Sequence, residues 1–453
     1  MNNKVFFILV IIFLSVIIFT QLKLINRSVV DNDEGIYLTS FLLIDKGNLP
    51  YKKTYFSQPP GFLLSTYPGF ILFGKTLQAT RLTIGLWSLV GLLAILWVVD
   101  SGLLAVGLLL LIPTYYNQSL TFQSDILVTT FSLLSFATLM KFREKLNEKW
   151  FIVSVLFLNF AFWTKFDITF FPSFVLFLFL LSKEKKFSIN LFYIFFAVSL
   201  GFLVILIFPF GVKEIFYNSI LLRFQAASNS SQSFLLFDHL KRDVILSGII
   251  LGGLFLSLFK INKFNLEQKV IFLWSIFTLI LFIFYRPLFP HHLVMLAVPF
   301  TLLFSQVARL FFKNEKLFKF FVIILLIISL VNRIYITITT SSNLINAQQK
   351  KAVEIMQKYT DINDLVVSDE EILNGVSGRL PPPELSDISY VRIGSNNLTS
   401  ENFKKVISDY KPKLIIPWNG RLDSIKNFKE NLVGYKILTS FSDSKNIYIR
   451  IKQ

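Results

Sequence analysis

The sequence predicts a polytopic α-helical membrane protein. Hydrophobic residues fill 54% of the 453 positions, 52 residues are phenylalanine, and the mean hydropathy is +0.61. Charged residues reach 16%, against about 25% in soluble domains. They gather between apolar runs that approach the roughly 20 residues a helix needs to cross a bilayer. These features exclude a soluble enzyme and a disordered chain.

About eleven apolar segments are expected to span the membrane. The first, residues 5–20, lacks a small-residue cleavage pattern and is interpreted as an uncleaved anchor. The others are residues 82–99, 102–116, 120–140, 151–163, 168–181, 191–210, 244–259, 270–285, 293–307 and 320–331. Several are short for a perpendicular span, so one pair can equally be a re-entrant hairpin.

Basic residues in short loops give the expected orientation. Lysine and arginine are dense in the connections 141–149, 183–186, 260–269 and 309–319, which the positive-inside rule assigns to the cytoplasm. The N-terminus then also lies in the cytoplasm. The loops 21–81 and 211–243 and the chain after residue 331 lie outside. A multi-pass protein of the plasma membrane follows.

The composition changes near residue 334 to that of a soluble domain. Residues 343–359 have a helical pattern, 365–368 and 414–417 are typical of short buried strands, and 436–441 with 447–451 form an alternating strand pair. We therefore predict a membrane-spanning domain over 1–335 and a small extracytoplasmic α/β domain over 336–453. The second domain shows no nucleophile, phosphate or metal motif, so packing or acceptor positioning is its expected role.

Composition also limits cofactors and partners. The chain has no cysteine, which removes disulfides, thiolate nucleophiles and Cys-containing zinc sites. With three histidines, no metal site and no cofactor are predicted, although a divalent cation held by Asp125 and phosphate oxygens stays open. The net charge of +17 indicates anionic membrane lipids rather than nucleic acid, because no nucleic-acid motif accompanies it.

The first outer loop concentrates carboxylates near the membrane surface. Asp31, Asp33 and Glu34 precede an apolar segment, residues 35–45, that is too short to span and is expected to form an interfacial helix. A carboxylate at that depth can act as general base on an incoming hydroxyl. The alternative is that these acids only cap the helix.

The same loop carries a series of motifs. The pattern D-E-x-x-Y ends at Tyr37, G-x-x-P-Y ends at Tyr51, a proline pair follows Gln58, and Arg81 opens the second span. This series resembles the first outer loop of membrane glycosyltransferases with the C-type (GT-C) fold. The nearest resemblance is to the lipid A aminoarabinose transferases and protein O-mannosyltransferases. Relatives often carry a lysine where this chain has Gln58.

Motifs farther along the chain agree with this resemblance, which extends over about residues 5–335. Asp125 matches an outer-loop acid at the head of a helix, and Lys165 matches a lysine at an outer helix end. The family's late outer loop is matched by Arg286, His291 and His292. Because adjacent helical residues point apart, only one of the two imidazoles is expected to face the helix bundle.

The resemblance implies a glycosyltransferase that takes one hexosyl or pentosyl group from a polyprenyl-phosphate donor. The acceptor is a lipid, glycan or protein hydroxyl outside the cytoplasm, and displacement occurs in one inverting step. Asp33 matches the acid that activates the acceptor, with Glu34 as a neighbour that raises its pKa or replaces it. Asp125 is expected to bind acceptor or a cation.

Further residues are expected to bind substrate. Because negative charge develops on the leaving phosphate, cations must stabilise it. The candidates are Arg81, Lys165, Arg286, His291 and His292, with Tyr37, Tyr51 and Gln58 as further contacts. The arginines, Lys165 and the histidines also have an ordinary alternative as interfacial side chains.

A transporter or flippase for a lipid-linked or anionic substrate is the alternative function. Transporters place polar residues in interrupted helices near the bilayer midplane, whereas the acids and most cations of this chain fall at predicted outer helix ends. This placement favours the enzyme.

Overall fold

The computed structural model describes residues 3–166, 168–183, 188–228, 235–442 and 445–451. This part of the chain is mostly α-helical and contains one four-stranded sheet. It divides into two compact units. Unit 1 comprises Met1–Ile25, Leu82–Ile205 and Gln232–Ser341, and unit 2 comprises Asn26–Arg81, Leu206–Ser231 and Ser342–Gln453. The domain boundary between residues 335 and 336 stays a prediction.

Helices and strands follow in chain order. The α-helices are α1 Asn3–Leu24, α2 Asn32–Asp45, α3 Pro60–Phe73, α4 Leu77–Val98, α5 Gly102–Leu111, α6 Pro113–Gln118, α7 Asp125–Lys145, α8 Glu148–Lys165, α9 Phe171–Lys183, α10 Ile189–Phe210, α11 Val212–Phe216, α12 Leu222–Ser228, α13 Leu235–Arg242, α14 Val244–Lys260, α15 Leu266–Phe284, α16 Val294–Arg309, α17 Glu315–Thr339, α18 Ala347–Tyr359, α19 Glu371–Ser377, α20 Tyr390–Gly394 and α21 Ser400–Tyr410. The strands are β1 Val366–Ser368, β2 Leu414–Ile416, β3 Tyr435–Ser442 and β4 Lys445–Arg450. A π-helical turn, Tyr217–Leu221, joins α11 to α12, and a 3-10 helix, Pro290–Leu293, precedes α16.

Several helices have the length and composition of membrane spans. In the described residues, 7 helices are long and apolar enough to cross a bilayer, and four shorter apolar helices accompany them. The multi-pass α-helical class predicted from the sequence is confirmed. The number of about eleven spans stays a prediction.

Unit 1 is a helix bundle with α16 at its centre. This helix packs against α5, α7, α14 and α15. Nearly all its residues are buried, from Val294 to Ala308. A helix that is buried on all sides needs mostly apolar residues around its whole surface, and the polar exceptions in α16, Thr301, Ser305 and Gln306, are buried as well.

Unit 2 contains the sheet, with strand order β1-β2-β4-β3. The pair β1 and β2 is parallel, and the other two pairs are antiparallel. Alternate residues serve two cores, since Val367 and Ile415 pack on one face and Val366, Leu414 and Ile416 on the other. The predicted small α/β fold of the C-terminal part is confirmed.

The first loop forms two helices of unit 2, α2 and α3. Pro60 starts α3 at a position where its missing N–H costs nothing, and Gly74 ends it with φ 116° in the left-handed region. Every residue of α2 from Glu34 to Phe41 is buried. Its aromatic side chains meet those of α3, with the Phe41 and Phe70 ring centroids 5.4 Å apart. The interfacial placement of α2 stays a prediction.

Candidate active site

The start of α2 holds the loop carboxylates. Asp31 is the N-cap, and its Oδ1 accepts a hydrogen bond from the Asp33 amide at 3.0 Å. Asp33 and Glu34 follow in the first turn, where negative charge interacts favourably with the helix dipole. Capping is therefore performed by Asp31. Asp33 is half-buried and Glu34 is fully buried.

Glu34 and Arg81 form a buried ion pair. Arg81 Nε lies 2.8 Å from Glu34 Oε1, and Arg81 Nη2 lies 2.6 Å from Oε2. Both side chains are 0% exposed. Arg81 also donates to the carbonyl oxygens of Arg27 at 2.6 Å and Ser28 at 3.3 Å. This two-point geometry ties the start of α2 to the start of α4.

Asp33 belongs to a chain of hydrogen bonds. The Tyr37 hydroxyl donates to Asp33 Oδ2 at 3.1 Å, and Gln58 Nε2 donates to the Tyr37 hydroxyl oxygen. The Tyr51 hydroxyl donates to the backbone carbonyl oxygen of Gln58 at 2.6 Å. Burial, with the nearby charge of Asp33, raises the pKa of Tyr37 well above its usual value. Tyr37 is therefore a neutral donor that orients the carboxylate, and four residues selected from sequence lie together.

Arg223 is a cation at this cluster that the sequence does not single out. It lies in α12, and its Nη2 donates to the Ser57 carbonyl at 3.4 Å. Its positive charge offsets part of the rise in the pKa of Tyr37. From the sequence, Arg223 is only one residue of the outer loop 213–243, which is either a flap over the site or an ordinary disordered loop, because nothing local links it to residues 31–58. Much of that loop's polar run, residues 228–233, lies outside the described residues.

In unit 1, Asp125 and Lys165 form a second buried ion pair. Lys165 Nζ lies 2.6 Å from Asp125 Oδ1, and the side chains are 4% and 2% exposed. Asp125 is the first residue of α7 and Lys165 the last of α8, so the antiparallel packing of these helices brings them together. Asp167, a possible partner of Lys165 from sequence, lies outside the described residues.

The late loop of unit 1 places two histidines in a 3-10 turn. His291 and His292 are 8% and 4% exposed, whereas the sequence predicts that only one faces the bundle. The tighter turn and its buried position allow both rings to pack, with centroids 4.5 Å apart. The Phe289 amide donates to His292 Nδ1 at 3.2 Å. Arg286 Nη1 donates to the Tyr285 carbonyl at 2.8 Å.

The histidine turn also contacts the segment before α7. Gln123 Nε2 lies 3.4 Å from His291 Nδ1, which links the histidine turn to the residues just before α7. Within the described ranges, no group of three or more histidine, aspartate or glutamate side chains is placed to hold a metal ion. The roles assigned to these residues from the sequence stay predictions.

Comparison with known proteins supplies the family context. A family model described as dolichyl-phosphate-mannose-protein mannosyltransferase matches residues 57–210. No curated protein matches the chain. The crystal structure of ArnT from Cupriavidus metallidurans bound to undecaprenyl phosphate is similar, with TM-score 0.70, 12% identity and 97% of each chain covered. Its apo form gives 0.67, 13% and the same coverage.

These similarities answer the question of fold. The likeness to ArnT extends over nearly the whole chain, and the predicted resemblance to glycosyltransferases with the C-type fold is confirmed. The match to the mannosyltransferase model covers a stretch that begins inside the first loop and runs through α10. Together, the fold and the family match indicate a membrane glycosyltransferase of the C-type fold.

Proposed function

We propose that the protein transfers one sugar from a polyprenyl-phosphate carrier to a lipid, glycan or protein hydroxyl on the extracytoplasmic side of the plasma membrane. The observation that carries the proposal is the half-buried Asp33 carboxylate, oriented by Tyr37 at the start of α2. Support for the carrier comes from the similar fold of ArnT, one structure of which is bound to undecaprenyl phosphate.

Asp33 is a better candidate for the base than Glu34. Both Glu34 oxygens accept from Arg81, Oε2 also accepts from the Val30 amide at 3.2 Å, and the side chain has no exposed surface. A general base must come within hydrogen-bond reach of the proton that it removes. We therefore assign Glu34 and Arg81 to holding the loop, and Asp33 to the chemistry.

The proposed reaction is a single displacement. The acceptor hydroxyl gives its proton to Asp33 while its oxygen bonds to the anomeric carbon. The bond from that carbon to the phosphate oxygen breaks, and the phosphate leaves with the electron pair. The configuration at the anomeric carbon inverts, and no covalent enzyme intermediate forms. Tyr37 keeps the Asp33 carboxylate in one orientation during this step.

The leaving phosphate needs a positive partner, and we assign this role to Arg223. Arg81 meets Glu34 and two carbonyl oxygens, and Arg223 donates to the carbonyl oxygen of Ser57, the residue next to Gln58 of the Asp33 cluster. Guanidinium groups stabilise phosphate oxygens through charge-assisted hydrogen bonds. Gln58, in the place of the family's lysine, donates to Tyr37 and so supports the base. Asp125, Lys165, Arg286, His291 and His292 stay proposed substrate contacts.

The first test is sugar transfer by the purified full-length protein. A radiolabelled pool of native polyprenyl-phosphate sugars is incubated with membrane extract, and wild type is compared with Asp33→Asn and Asp31→Asn. We expect Asp33→Asn to lose transfer by about 10²-fold or more, the range of general-base catalysis, while still binding donor. Asp31→Asn is the matched control, because asparagine caps a helix as well as aspartate.

Other outcomes of this test contradict the proposal. Wild type that binds the lipid phosphate but moves no label supports transport instead. An active Asp33→Asn variant removes Asp33 as the base. Arg223→Met is expected to slow transfer strongly and Arg223→Lys less so, because lysine keeps the charge but not the two-point geometry. Equal activity of both with wild type contradicts the role of Arg223.

A further inference from the structure

Helices α2 and α19 of unit 2 touch through their backbones. A Cβ atom on Gly35 of α2 would lie 2.5 Å from the amide nitrogen of Ile372 and 3.0 Å from its Cα. Real Cβ atoms essentially never approach another atom within 3.0 Å. Only glycine therefore permits this approach, which is one of the recurrent uses of glycine where two backbones meet closely.

Two more contacts extend this interface along the same face of α2. The Thr39 hydroxyl donates to the carbonyl oxygen of Glu371 at 3.0 Å. A Cβ on Gly375 of α19 would lie 2.5 Å from Leu38 Cδ2. Positions 35, 38 and 39 are three and four residues apart, so they share one face of the helix. We call this contact the glycine seam, formed by Gly35, Leu38, Thr39, Glu371, Ile372 and Gly375.

The C-terminal side of the seam is itself held in place. The Glu371 carboxyl group accepts from Arg421 Nη2 at 2.6 Å and from the Ile388 amide at 3.0 Å. Its side chain is 1% exposed and that of Arg421 is 3% exposed. The Asp369 carboxylate accepts from the Leu422 amide at 2.9 Å. These bonds fix the start of α19 to the segment that follows β2.

We propose that the glycine seam sets the position of the Asp33 carboxylate, so that the C-terminal part of the chain positions the base. Gly35 follows Asp33 by two residues in the same first turns of α2. Gly35 and Thr39 are thus positioning residues that act through Asp33. This inference rests on the proposed function, in which Asp33 is the base.

The size of the effect follows from the separation at Gly35. The Cβ of an alanine at position 35 would lie 2.5 Å from the amide nitrogen of Ile372, whereas ordinary contact begins at 3.4 Å. The atoms that it meets belong to the backbone, so they cannot turn aside as a side chain can. The two helices must part by close to 1 Å, a displacement that can lower a rate by about 10²-fold when it misplaces a catalytic group. In the proposed function the donor lipid binds without Asp33, so the affinity for the donor should not change when kcat falls.

The test compares variants of the full-length protein in the sugar-transfer assay, with donor binding measured separately. Gly35→Ala is expected to lower kcat by about 10²-fold with unchanged KM for the donor. Its matched control is Gly248→Ala, at a helical glycine of α14 whose added Cβ meets open space, and this variant should match wild type. Thr39→Val should lower kcat, whereas Thr39→Ser, which keeps the hydroxyl, should have the kcat of wild type.

A second pair of variants covers the case in which Gly35→Ala does not fold. The added Cβ of Gly375→Ala meets the Leu38 side chain, with Cδ2 at 2.5 Å and Cγ at 3.1 Å, and no backbone atom, so this variant should fold and lower kcat. The double variant Gly375→Ala/Leu38→Ala removes the obstructing atoms and should recover kcat above the single variant. A double variant no faster than Gly375→Ala overturns the inference.

The outcomes separate this inference from the proposed function. Normal kcat in Gly35→Ala, together with an inactive Asp33→Asn, overturns the positioning role and leaves the function intact. Activity in Asp33→Asn overturns the proposed base itself. A rise in donor KM in Gly35→Ala with unchanged kcat also contradicts the seam as a device for placing Asp33.

Discussion

Replacing Glu34 by glutamine is expected to destabilise the protein by about 3–5 kcal/mol, the usual cost of removing one partner from a buried ion pair. The structure sets this magnitude, because both Glu34 and Arg81 are 0% exposed. Without the carboxylate, the Arg81 charge is left beside the carbonyl oxygens of Arg27 and Ser28. These dipoles satisfy hydrogen bonds but do not neutralise a charge.

The same helix offers a matched control. Asp45, at the other end of α2, pairs with Lys75 at 2.7 Å, almost the 2.6 Å of the Glu34 and Arg81 pair. The side chains of Asp45 and Lys75 are 23% and 46% exposed. Asp45→Asn should therefore cost only about 0–1 kcal/mol, as surface ion pairs do. The distances agree, so the difference between the two variants reflects the burial of the Glu34 pair and its two-point geometry.

The measurement is the midpoint of denaturation by SDS in mixed micelles, for both single variants and for Glu34→Gln/Arg81→Met. The double variant should recover much of the loss, because it removes both charges from the interior. A Glu34→Gln variant no less stable than Asp45→Asn refutes the reasoning. If that variant is stable but inactive in sugar transfer, Glu34 rather than Asp33 is the base.

Three further predictions concern other parts of the chain. Lys165→Met leaves the Asp125 carboxylate buried alone and should cost about 3–5 kcal/mol in the same denaturation assay, whereas Lys141→Met, in a pair with 23% and 59% exposure, should cost at most about 1 kcal/mol. Burial raises the pKa of Glu371 from 4.5 to about 8, so the stability that protonated Glu371 contributes is complete below pH 4.5 and is lost as the pH rises through 8. Glu371→Gln should flatten the profile of stability against pH between pH 5 and 9, and an unchanged profile contradicts this. Asp243 caps α14 by accepting from the Leu246 amide at 3.1 Å, so Asp243→Ala should lower stability by about 1–2 kcal/mol, and a midpoint equal to that of wild type argues against the cap.

Elements with a simple local pattern were predictable. The mostly apolar run at residues 293–307 predicts α16 to within two residues at its ends, because burial on all sides leaves few polar positions. The alternation over 436–441 predicts β3, in which Leu438 and Phe441 pack against the core while Ile437 is exposed and register shifts interrupt the regular pattern. In both cases the signal lies in neighbouring residues.

Other features depend on contacts between distant residues. Helix α3 was not predicted, because Pro59 and Pro60 favour a loop and Pro68 lies inside the helix. Packing of Phe62 and Phe70 on α2 outweighs these local preferences. The pairing of Glu34 with Arg81 and the hydrogen bond from Arg223 to the Ser57 carbonyl likewise arise from tertiary folding. A sequence alone shows the charges without their partners.

The pair formed by Asp125 and Lys165 bears on how the chain enters the membrane. Helices α7 and α8 are consecutive and are separated only by Leu146 and Asn147. Their two charges meet at the open end of this hairpin. At the centre of a transmembrane helix one such charge costs about 2.5–3.5 kcal/mol on insertion through the translocon, and Asp125 and Lys165 lie at helix ends. Because both partners belong to one hairpin, the two helices can insert together as a unit whose charges are already paired, before any later helix is synthesised.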